Sequence, residues 1–442
     1  MLSESHSRSK ELLNNVLGSG LYKGINILFS LLIVRFSIQI MGEERYGIWL
    51  ALLSFFTWFS AFEVGVSNSL RNSITHLFSE NKFEQIKQLI HKGYKTLFIL
   101  YFGLISILLI LSSQSEFSQL ILPEVGNFES FNVTFQWCLV LYFAHFVLFF
   151  LHNALLATHH TKYIYLIVAI QNALLLLGLV FCYYWNYTPS LMLFCIWFSS
   201  LPLFIWLFSS VYFYNTSFQQ FGPKLSEIFD KKVKAFQGLN KNFFIIQFCT
   251  LILFSTDNII IVNYIGSYEV TVYNVTFKYF NLLIILFNLV LLPYWASFTD
   301  AYGKGDKVWI LRHMKKLMRF SLGIGLLGIV MLIFSPWALK AWIGKELTIS
   351  LDLLLFMLLS ILLTAWNSIF AYFLNSVSRT QLQTKLLVFA ALINIPLSIY
   401  LIQGYDAAGV IMATCISLFP QAIFLPIEYR SVIQKMSNKD GV

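Results

Sequence analysis

Four charged side chains interrupt the apolar stretches of this sequence, and their chemistry gives the first indication of its function. They are Arg35, Glu63, Asp257 and Lys278. A guanidinium or ammonium group can bind an anionic ligand, whereas a buried carboxylate can hold a proton or a metal cation. Each charge would cost roughly 2.5 to 3.5 kcal/mol at the centre of a lipid-facing helix. We therefore expect all four to face a protein interior or a wet cavity.

Two of these charges, Asp257 and Lys278, belong to one predicted helical hairpin, residues 243–278, which turns at Gly266. Asp257 lies about nine residues from the turn on one arm and Lys278 about twelve on the other, so their depths are similar. Two interpretations are open. The pair could be a structural ion pair that locks the hairpin, or it could bind a substrate or a coupling ion.

The composition predicts how these residues are positioned. Hydrophobic residues make up 58% of the 442 residues, charged residues make up 12%, and the mean hydropathy is +0.71, as in a polytopic all-α membrane protein. Twelve apolar runs are long enough to cross a bilayer. They cover residues 20–40, 47–67, 96–111, 131–157, 163–184, 191–213, 243–264, 270–293, 320–339, 353–374, 386–402 and 407–426.

The Lys and Arg residues between these spans alternate between two sides, as twelve spans require. The two tails and the even-numbered connections carry most of them, and the other side carries only Arg45, Lys340 and Lys345. We therefore predict that the richer side is cytoplasmic and that both termini lie there. This bias accounts for most of the net charge of +9, so no nucleic-acid partner is needed.

The two halves of the chain resemble each other at a shift of 224 positions. MGEERYGIW at 41–49 then aligns with IGSYEVTVY at 265–273, and Gly42 falls on Gly266. Because each half has an even number of spans, the halves share one orientation, as in a parallel repeat. We predict a cytoplasmic N-terminal segment 1–19, a six-helix lobe 20–214, a basic cytoplasmic linker 215–242, a second six-helix lobe 243–428 and a cytoplasmic tail 429–442.

All four membrane charges fall on spans 1, 2, 7 and 8, which the repeat relates to one another, and we expect these spans to line a shared central cavity. Glu63 lies nearer the cytoplasm than Arg35, so Arg35 is predicted to bind an anionic ligand. The alternative is an arginine that reaches the interface or bonds backbone carbonyls. Lys23 and Arg71, near the cytoplasmic ends of spans 1 and 2, are interfacial anchors or a basic vestibule.

The loops argue against an enzyme. The longest non-cytoplasmic connection, residues 112–130, is too short for a domain, and the sequence has no D-x-D carboxylate pair. GKGD at 303–306 lacks the spacing of a phosphate-binding loop. His145 and His152 have no metal partner at ligand spacing, and the five cysteines stand singly, so no metal site or cofactor is predicted. The segments 71–95 and 297–319 are predicted to be basic interfacial helices that contact membrane lipids.

Four motifs carry a family resemblance. They are MGEERYGIW at 41–49, FEVGVSNSLRNSI at 62–74, TDNIIIVNYIG at 256–266 with VYN at 272–274, and LPYWASFTDAYGKGDKVWI at 292–310. Together with the topology, they resemble the polysaccharide-transporter branch of the MOP flippase superfamily, and above all Wzx-type O-antigen and capsule flippases. Glu63 stands where this family more often has an aspartate.

The resemblance implies a multi-pass protein of the bacterial inner membrane whose two lobes open alternately to each side. Its substrate would be an oligosaccharide linked to undecaprenyl pyrophosphate, moved from the cytoplasmic to the outer leaflet. Arg35 and Lys278 would attract the pyrophosphate, and Asp257 would tune Lys278 or relay a cation, either H⁺ or Na⁺. We expect a monomer, with a glycan polymerase as a further partner.

Two other function classes stay open. A cation-coupled multidrug exporter of the same superfamily would depend mainly on the carboxylates Glu63 and Asp257, although Arg35 and Lys278 balance their charge. A membrane enzyme of glycan assembly would need a carboxylate or histidine site outside the spans, which the sequence does not provide.

Overall fold

The computed structural model describes residues 2–113, 131–158, 160–220, 222–223 and 241–437, and these residues form helices joined by short turns, without a strand. Most of the predicted loop 112–130 and of the predicted linker 215–242 lies outside the described residues, as do the last residues of the predicted tail 429–442. The chain divides into two compact units, Met1–Phe244 and Ile245–Val442.

Seven helices of the described residues belong to the first unit. They are α1 (Leu2–Met41), α2 (Glu43–Ser79), α3 (Phe83–Ser112), α4 (Phe131–Leu148), α5 (Phe150–Ala157), α6 (Thr161–Tyr184) and α7 (Leu191–Asn215). Within this unit α1 packs along α6, and α4 packs along α7.

Six helices follow in the second part of the chain. They are α8 (Lys241–Tyr264), α9 (Ser267–Leu291), α10 (Tyr294–Gly303), α11 (Lys307–Ile343), α12 (Leu351–Ser376) and α13 (Gln381–Ser437). Helix α12 packs against both α13 and α9.

The prediction of twelve spans is confirmed. In the described residues, eleven helical segments are long and apolar enough to cross a membrane, counting α4 and α5 as one span, Phe131–Ala157. The last segment is 56 residues long, and α13 breaks within it at Asp406, where φ is 47° and ψ is −141°. The two arms of α13, residues 381–405 and 407–437, are therefore two spans, and the protein is an all-α multi-pass membrane protein.

The predicted interfacial segments are helical, but most of their residues continue a span. Helix α2 runs on to Ser79, α3 begins at Phe83, and α11 runs without a break from Lys307 to Ile343. No glycine or proline stands between 307 and 320 to end the helix before the membrane. Only α10, which follows Pro293, is a separate helix among these described segments.

The internal repeat is visible in the turns. Gly42 before α2 has φ 79° and ψ 166°, and Gly266 before α9 has φ 109° and ψ 170°, a region open essentially to glycine alone. Further along, Asn81 and Gly305, again 224 positions apart, both have positive φ, at 57° and 73°. The two units therefore share their turn geometry as well as their helix order.

A pair of hydrogen bonds repeats in the same way. Thr75 donates through Oγ1 to the carbonyl oxygen of Ala157 at 3.2 Å, and Thr299, 224 positions later, donates to the carbonyl oxygen of Ser376 at the same distance. Each threonine contacts the end of the fourth span of its own unit. The match extends the repeat from sequence to tertiary contacts.

Aromatic rings fill much of the core of the first unit. Phe56 stacks on Tyr142 with ring centroids 5.0 Å apart, and Trp49 meets Phe194 and Phe198 edge-on at 6.0 and 5.6 Å. Offset and edge-on pairs of this kind add to the stability gained from burying the rings. The many phenylalanines thus have a structural role as packing residues.

Candidate functional site

The carboxylate of the first unit is Glu63, which is 1% exposed on α2. Its Oε1 accepts hydrogen bonds from Oγ of Ser67 at 2.5 Å and from Nδ2 of Asn153 on α5 at 3.0 Å. Nearby, the Tyr101 hydroxyl donates to the carbonyl oxygen of Phe59 at 2.9 Å. Hydrogen bonds to a buried carboxylate offset much of the cost of removing it from water. Glu63 is therefore held between two helices of one unit, α2 and α5.

The three predicted cationic residues of this unit occupy different environments. Arg35 is half-buried on α1, Lys23 is half-buried about three turns earlier on the same helix, and Arg71 is exposed on α2. None of them is among the hydrogen-bond partners of Glu63 in the described residues. Within the described residues these cations are therefore not bonded to Glu63, and the binding roles of all four residues stay predictions.

The carboxylate of the second unit, Asp257 on α8, is also 1% exposed, and its partner is a tyrosine. The hydroxyl of Tyr273 on α9 donates to Oδ2 of Asp257 at 2.5 Å. No ion pair joins Asp257 to Lys278, although both lie in the described residues. The two charged side chains are therefore not paired in this structure, and a role of either one in binding a substrate or a coupling ion stays a prediction.

The register of the hairpin explains this result. Asn274, which follows Tyr273, is hydrogen-bonded to Asn258, which follows Asp257, at 2.7 Å. These contacts fix which residues of α8 and α9 face each other. Lys278 lies five residues beyond Tyr273, which is roughly 7.5 Å further along the axis and about 140° around it. Counting from the turn gave nearly equal depths, but it ignored this rotation.

Lys278 is half-buried on α9. Among the residues that the structure describes, it has no hydrogen-bond or ion-pair partner. A membrane-embedded ammonium group without a carboxylate partner is costly unless it meets water or an anionic ligand. Lys278 thus has the charge and the freedom that an anion-binding residue requires.

A cluster of oxygen-bearing side chains, which we call the oxygen cluster, accompanies Asp257. Its members are buried on α8 and on the two arms of α13. They are Thr256, Asp257, Asn394, Ser398, Thr414 and Ser417. Nδ2 of Asn394 donates to Oγ1 of Thr414 at 3.1 Å and so joins the two arms of α13.

An apolar cluster shows that these three segments adjoin one another. Leu253 on α8 packs with Ala390 and Ala391 on the first arm of α13 and with Leu418 on the second. Asp257, Asn394 and Thr414 lie about one helical turn from these residues on their segments, whereas Ser398 lies about two turns away and Ser417 adjoins Leu418. Asp257 also lies near Cys415 on the second arm.

Several oxygen atoms of the oxygen cluster are buried without a hydrogen-bond partner in the described residues. They are Oγ1 of Thr256, Oδ1 of Asp257, Oδ1 of Asn394 and Oγ of Ser398 and Ser417. Buried polar atoms are almost always paired, so a concentration of unpaired ones marks a place where water or a polar ligand can bind. Carboxylate, carbonyl and hydroxyl oxygens suit a small hard cation or a proton.

Several of these contact residues were not found by sequence reasoning. Asn153, Tyr273 and Asn394 are neutral, and many Asn and Tyr residues occur elsewhere in the apolar runs. One signal was available for Ser67, which follows Glu63 by four residues and therefore lies on the same face of its helix. The partners from other helices depend on packing that a single sequence does not specify.

Comparison with known proteins supports the fold and the expected resemblance. Residues 243–400 match the MatE family. Proteins named "Putative O-antigen transporter" from Salmonella typhi and from Salmonella typhimurium are 23% identical over 414 residues and 22% identical over 410 residues. The aligned region covers 90% of this chain in each case, and 90% and 91% of the two proteins.

Solved structures give the same result. A multidrug resistance MATE family transporter of the MOP superfamily, in its inward-facing conformation, matches with a TM-score of 0.70 at 13% identity. The match covers 95% of this chain and 99% of the transporter. The lipid II flippase MurJ, in an inward closed conformation, matches with a TM-score of 0.67 at 13% identity, covering 96% of this chain and 90% of MurJ. The resemblance to the MOP superfamily predicted from the sequence motifs is confirmed, and the chain shares the fold of these two solved structures.

Proposed function

We propose that this protein is a flippase that moves a lipid-linked oligosaccharide across the bacterial inner membrane, from the cytoplasmic to the outer leaflet. The observation that carries the proposal is Lys278, a half-buried cation on a membrane helix whose expected carboxylate partner is bound to Tyr273 instead. The relatives named as O-antigen transporters and the fold shared with the lipid II flippase MurJ support this substrate class.

The chemistry of such a substrate fits the charges of the chain. A pyrophosphate and several sugars cannot cross hydrocarbon unaided, whereas a wet, basic cavity can hold them while the polyprenyl tail stays in lipid. In this proposal Arg35 and Lys278 bind the pyrophosphate. Lys23 and Arg71, near the proposed cytoplasmic entrance, attract the same group.

Asp257 and the oxygen cluster are proposed to couple transport to a cation, either H⁺ or Na⁺. The support is the set of buried, unpaired oxygen atoms around the carboxylate. A cation bound there would change the charge next to the α8–α9 hairpin, which also carries Lys278. Loading and release of the cation would thereby alter how strongly the hairpin attracts an anionic substrate.

Reconstitution tests the proposal. Purified protein in liposomes should move an undecaprenyl-pyrophosphate oligosaccharide to the opposite leaflet, measured by its accessibility to a lectin or a glycosidase added outside. Lys278→Ala and Arg35→Ala should each lower the rate by about tenfold or more, because each removes a desolvated contact with the pyrophosphate.

Lys304→Ala is the matched control. Lys304 is exposed and pairs with Asp300 at 2.7 Å on the helix surface, so its loss should leave the rate nearly unchanged. Full translocation by both the Lys278 and the Arg35 variants would exclude the proposed roles of these residues.

The alternative is a cation-coupled multidrug exporter, favoured by the similarity in fold to the MATE transporter and by two buried carboxylates. The same liposomes distinguish the two functions. Efflux of a cationic dye without movement of any lipid-linked saccharide would support the exporter. Movement of the saccharide without dye efflux supports the flippase.

A further inference from the structure

We propose that the start of α11 is a binding site for an anionic phospholipid. Four cationic side chains lie there in a row that we call the cationic stripe. They are Arg312, Lys315, Lys316 and Arg319, and all four are exposed. Lys315, Lys316 and Arg319 follow Arg312 by three, four and seven residues, so all four side chains lie on one face of the helix.

The opposite face of the helix fixes the direction of the cationic stripe. Ile310 and Met314 are 0% exposed and Leu317 is 1% exposed, so this side of α11 is packed into the second unit. At its start the helix is capped by Asp306, whose carboxylate accepts a hydrogen bond from the backbone N–H of Trp309 at 2.9 Å. The stripe therefore points away from the unit on a well-anchored helix.

The face that carries the cationic stripe becomes apolar as α11 enters the membrane. Leu322, Leu326 and Ile333 are 68%, 67% and 68% exposed, and they continue the same row at helical spacing. Exposed aliphatic side chains on a membrane-spanning segment face lipid tails. The stripe then lies at the depth of the headgroups, directly above the lipid that these residues contact.

In the part of the chain that the structure describes, no carboxylate forms an ion pair with the cationic stripe. The ion pairs of the described residues join Glu80 to His76 and Lys82, Asp300 to Lys304, and Glu346 to Lys340. Four uncompensated cations on two turns of a helix repel one another and attract phosphate. A phosphate could also come from solution, but only a phospholipid would use both the stripe and the apolar face below it.

The equivalent helix of the first unit, α3, lacks this row of exposed cations in the described residues. At the repeat shift, the four positions of the cationic stripe correspond to Gln88, His91, Lys92 and Lys95 on α3. His91 is buried, and the two lysines are half-buried. The equivalent helix face thus has fewer cations, and they are less accessible. The proposed lipid site is therefore specific to the second unit, and α3 offers a matched control.

The test uses the full chain purified in detergent, with phosphatidylglycerol or phosphatidylcholine added and the thermal unfolding midpoint as the readout. Phosphatidylglycerol should raise the midpoint of the unaltered protein more than phosphatidylcholine does. The triple variant Arg312→Gln, Lys316→Gln, Arg319→Gln should lose most of this difference. The control variant Lys87→Gln, Lys92→Gln, Lys95→Gln should keep it.

Two further arms complete the experiment. If the triple variant does not fold, Lys315→Gln with Lys316→Gln replaces it and should lose about half of the difference. Inorganic phosphate at the same concentration should have no effect. The proposal is overturned if the stripe variant responds to phosphatidylglycerol as the unaltered protein does, if the α3 control loses as much, or if phosphate alone reproduces the effect.

Discussion

Both buried carboxylates are held by neutral donors. Glu63 accepts from Ser67 and Asn153, and Asp257 accepts from Tyr273. A neutral donor orients a carboxylate without cancelling its charge, so the group can still interact with a cation or a proton. At the scale of single residues, the use of neutral donors instead of a cationic partner distinguishes a site that can bind and release a cation from a fixed ion pair.

Removing the donor of Asp257 should be costly. Tyr273→Phe leaves a carboxylate that is 1% exposed without its hydrogen bond, and we expect a loss of about 1.5 to 3 kcal/mol in unfolding free energy. The measurement is the thermal unfolding midpoint in detergent. Tyr279→Phe, on the same helix, is the control, since the Tyr279 hydroxyl bonds only a neutral carbonyl at 2.9 Å and its loss should cost less. Equal losses in the two variants would argue against a special role for the Asp257 contact.

A second prediction follows from the absence of an ion pair between Asp257 and Lys278. In a double-mutant cycle, the effects of Asp257→Asn and Lys278→Met on unfolding should add to within about 0.5 kcal/mol, because the two side chains share no contact. Thermal midpoints of the two single variants and the double variant give the answer. A coupling energy of several times that value would show that the two charges interact in the folded protein.

The charged residues of the site could be predicted from sequence, but their partners could not. Arg35, Glu63, Asp257 and Lys278 are conspicuous because charge inside an apolar run is expensive. Whether Asp257 meets Lys278 or Tyr273 depends on the rotation of α9, which changes by about 100° for each residue of error in the register. The length of the helices and the position of the turn, which can be read from the sequence, do not specify this rotation.

At the scale of elements, the α1–α2 and α8–α9 hairpins depend on their glycine turns. Gly42 and Gly266 occupy a region of backbone conformation that other residues reach only at a cost of about 1 to 3 kcal/mol. We therefore expect Gly266→Ala to lower the thermal midpoint and Gly42→Ala to do the same in the equivalent turn.

Gly323→Ala serves as the comparison. Gly323 lies within α11, and a methyl group there would have no atom within 4 Å. Alanine is the better helix former, so this substitution should be neutral or stabilise by up to about 1 kcal/mol. If all three variants lost stability to the same extent, backbone strain at the turns would not be the cause.

Spans were easier to predict than the helices outside them. Most of the twelve runs reach the roughly 20 residues needed to cross a bilayer, and the break between the last two is present in the structure at Asp406. The predicted ends of the helices were less accurate than the spans themselves, because polar residues can continue a helix beyond the membrane. Helix α1 begins at Leu2 and α11 at Lys307, well before the predicted spans start.

At the scale of the whole molecule, the two units share turns and helix order but differ in chemistry. Position 257 of the second unit corresponds to Ile33 in the first, and Lys278 corresponds to Ser54. The oxygen cluster and the cationic stripe are likewise features of the second unit. In a duplicated fold whose halves differ in their side chains, each half can have a separate function. We expect cation coupling to depend mainly on the second unit.

This expectation gives the last prediction, which concerns the response to an imposed gradient. In liposomes, a proton or sodium gradient should accelerate movement of the lipid-linked oligosaccharide by the unaltered protein. Asp257→Asn should retain a slow, gradient-independent rate, because the cation site is lost while Arg35 and Lys278 remain. Glu63→Gln should still respond to the gradient, since Glu63 is held by Ser67 and Asn153 within the first unit. The opposite result, with the response lost in Glu63→Gln and kept in Asp257→Asn, would move the coupling site to the first unit. Comparing the two gradients identifies the cation, because only the ion that the oxygen cluster binds should change the rate.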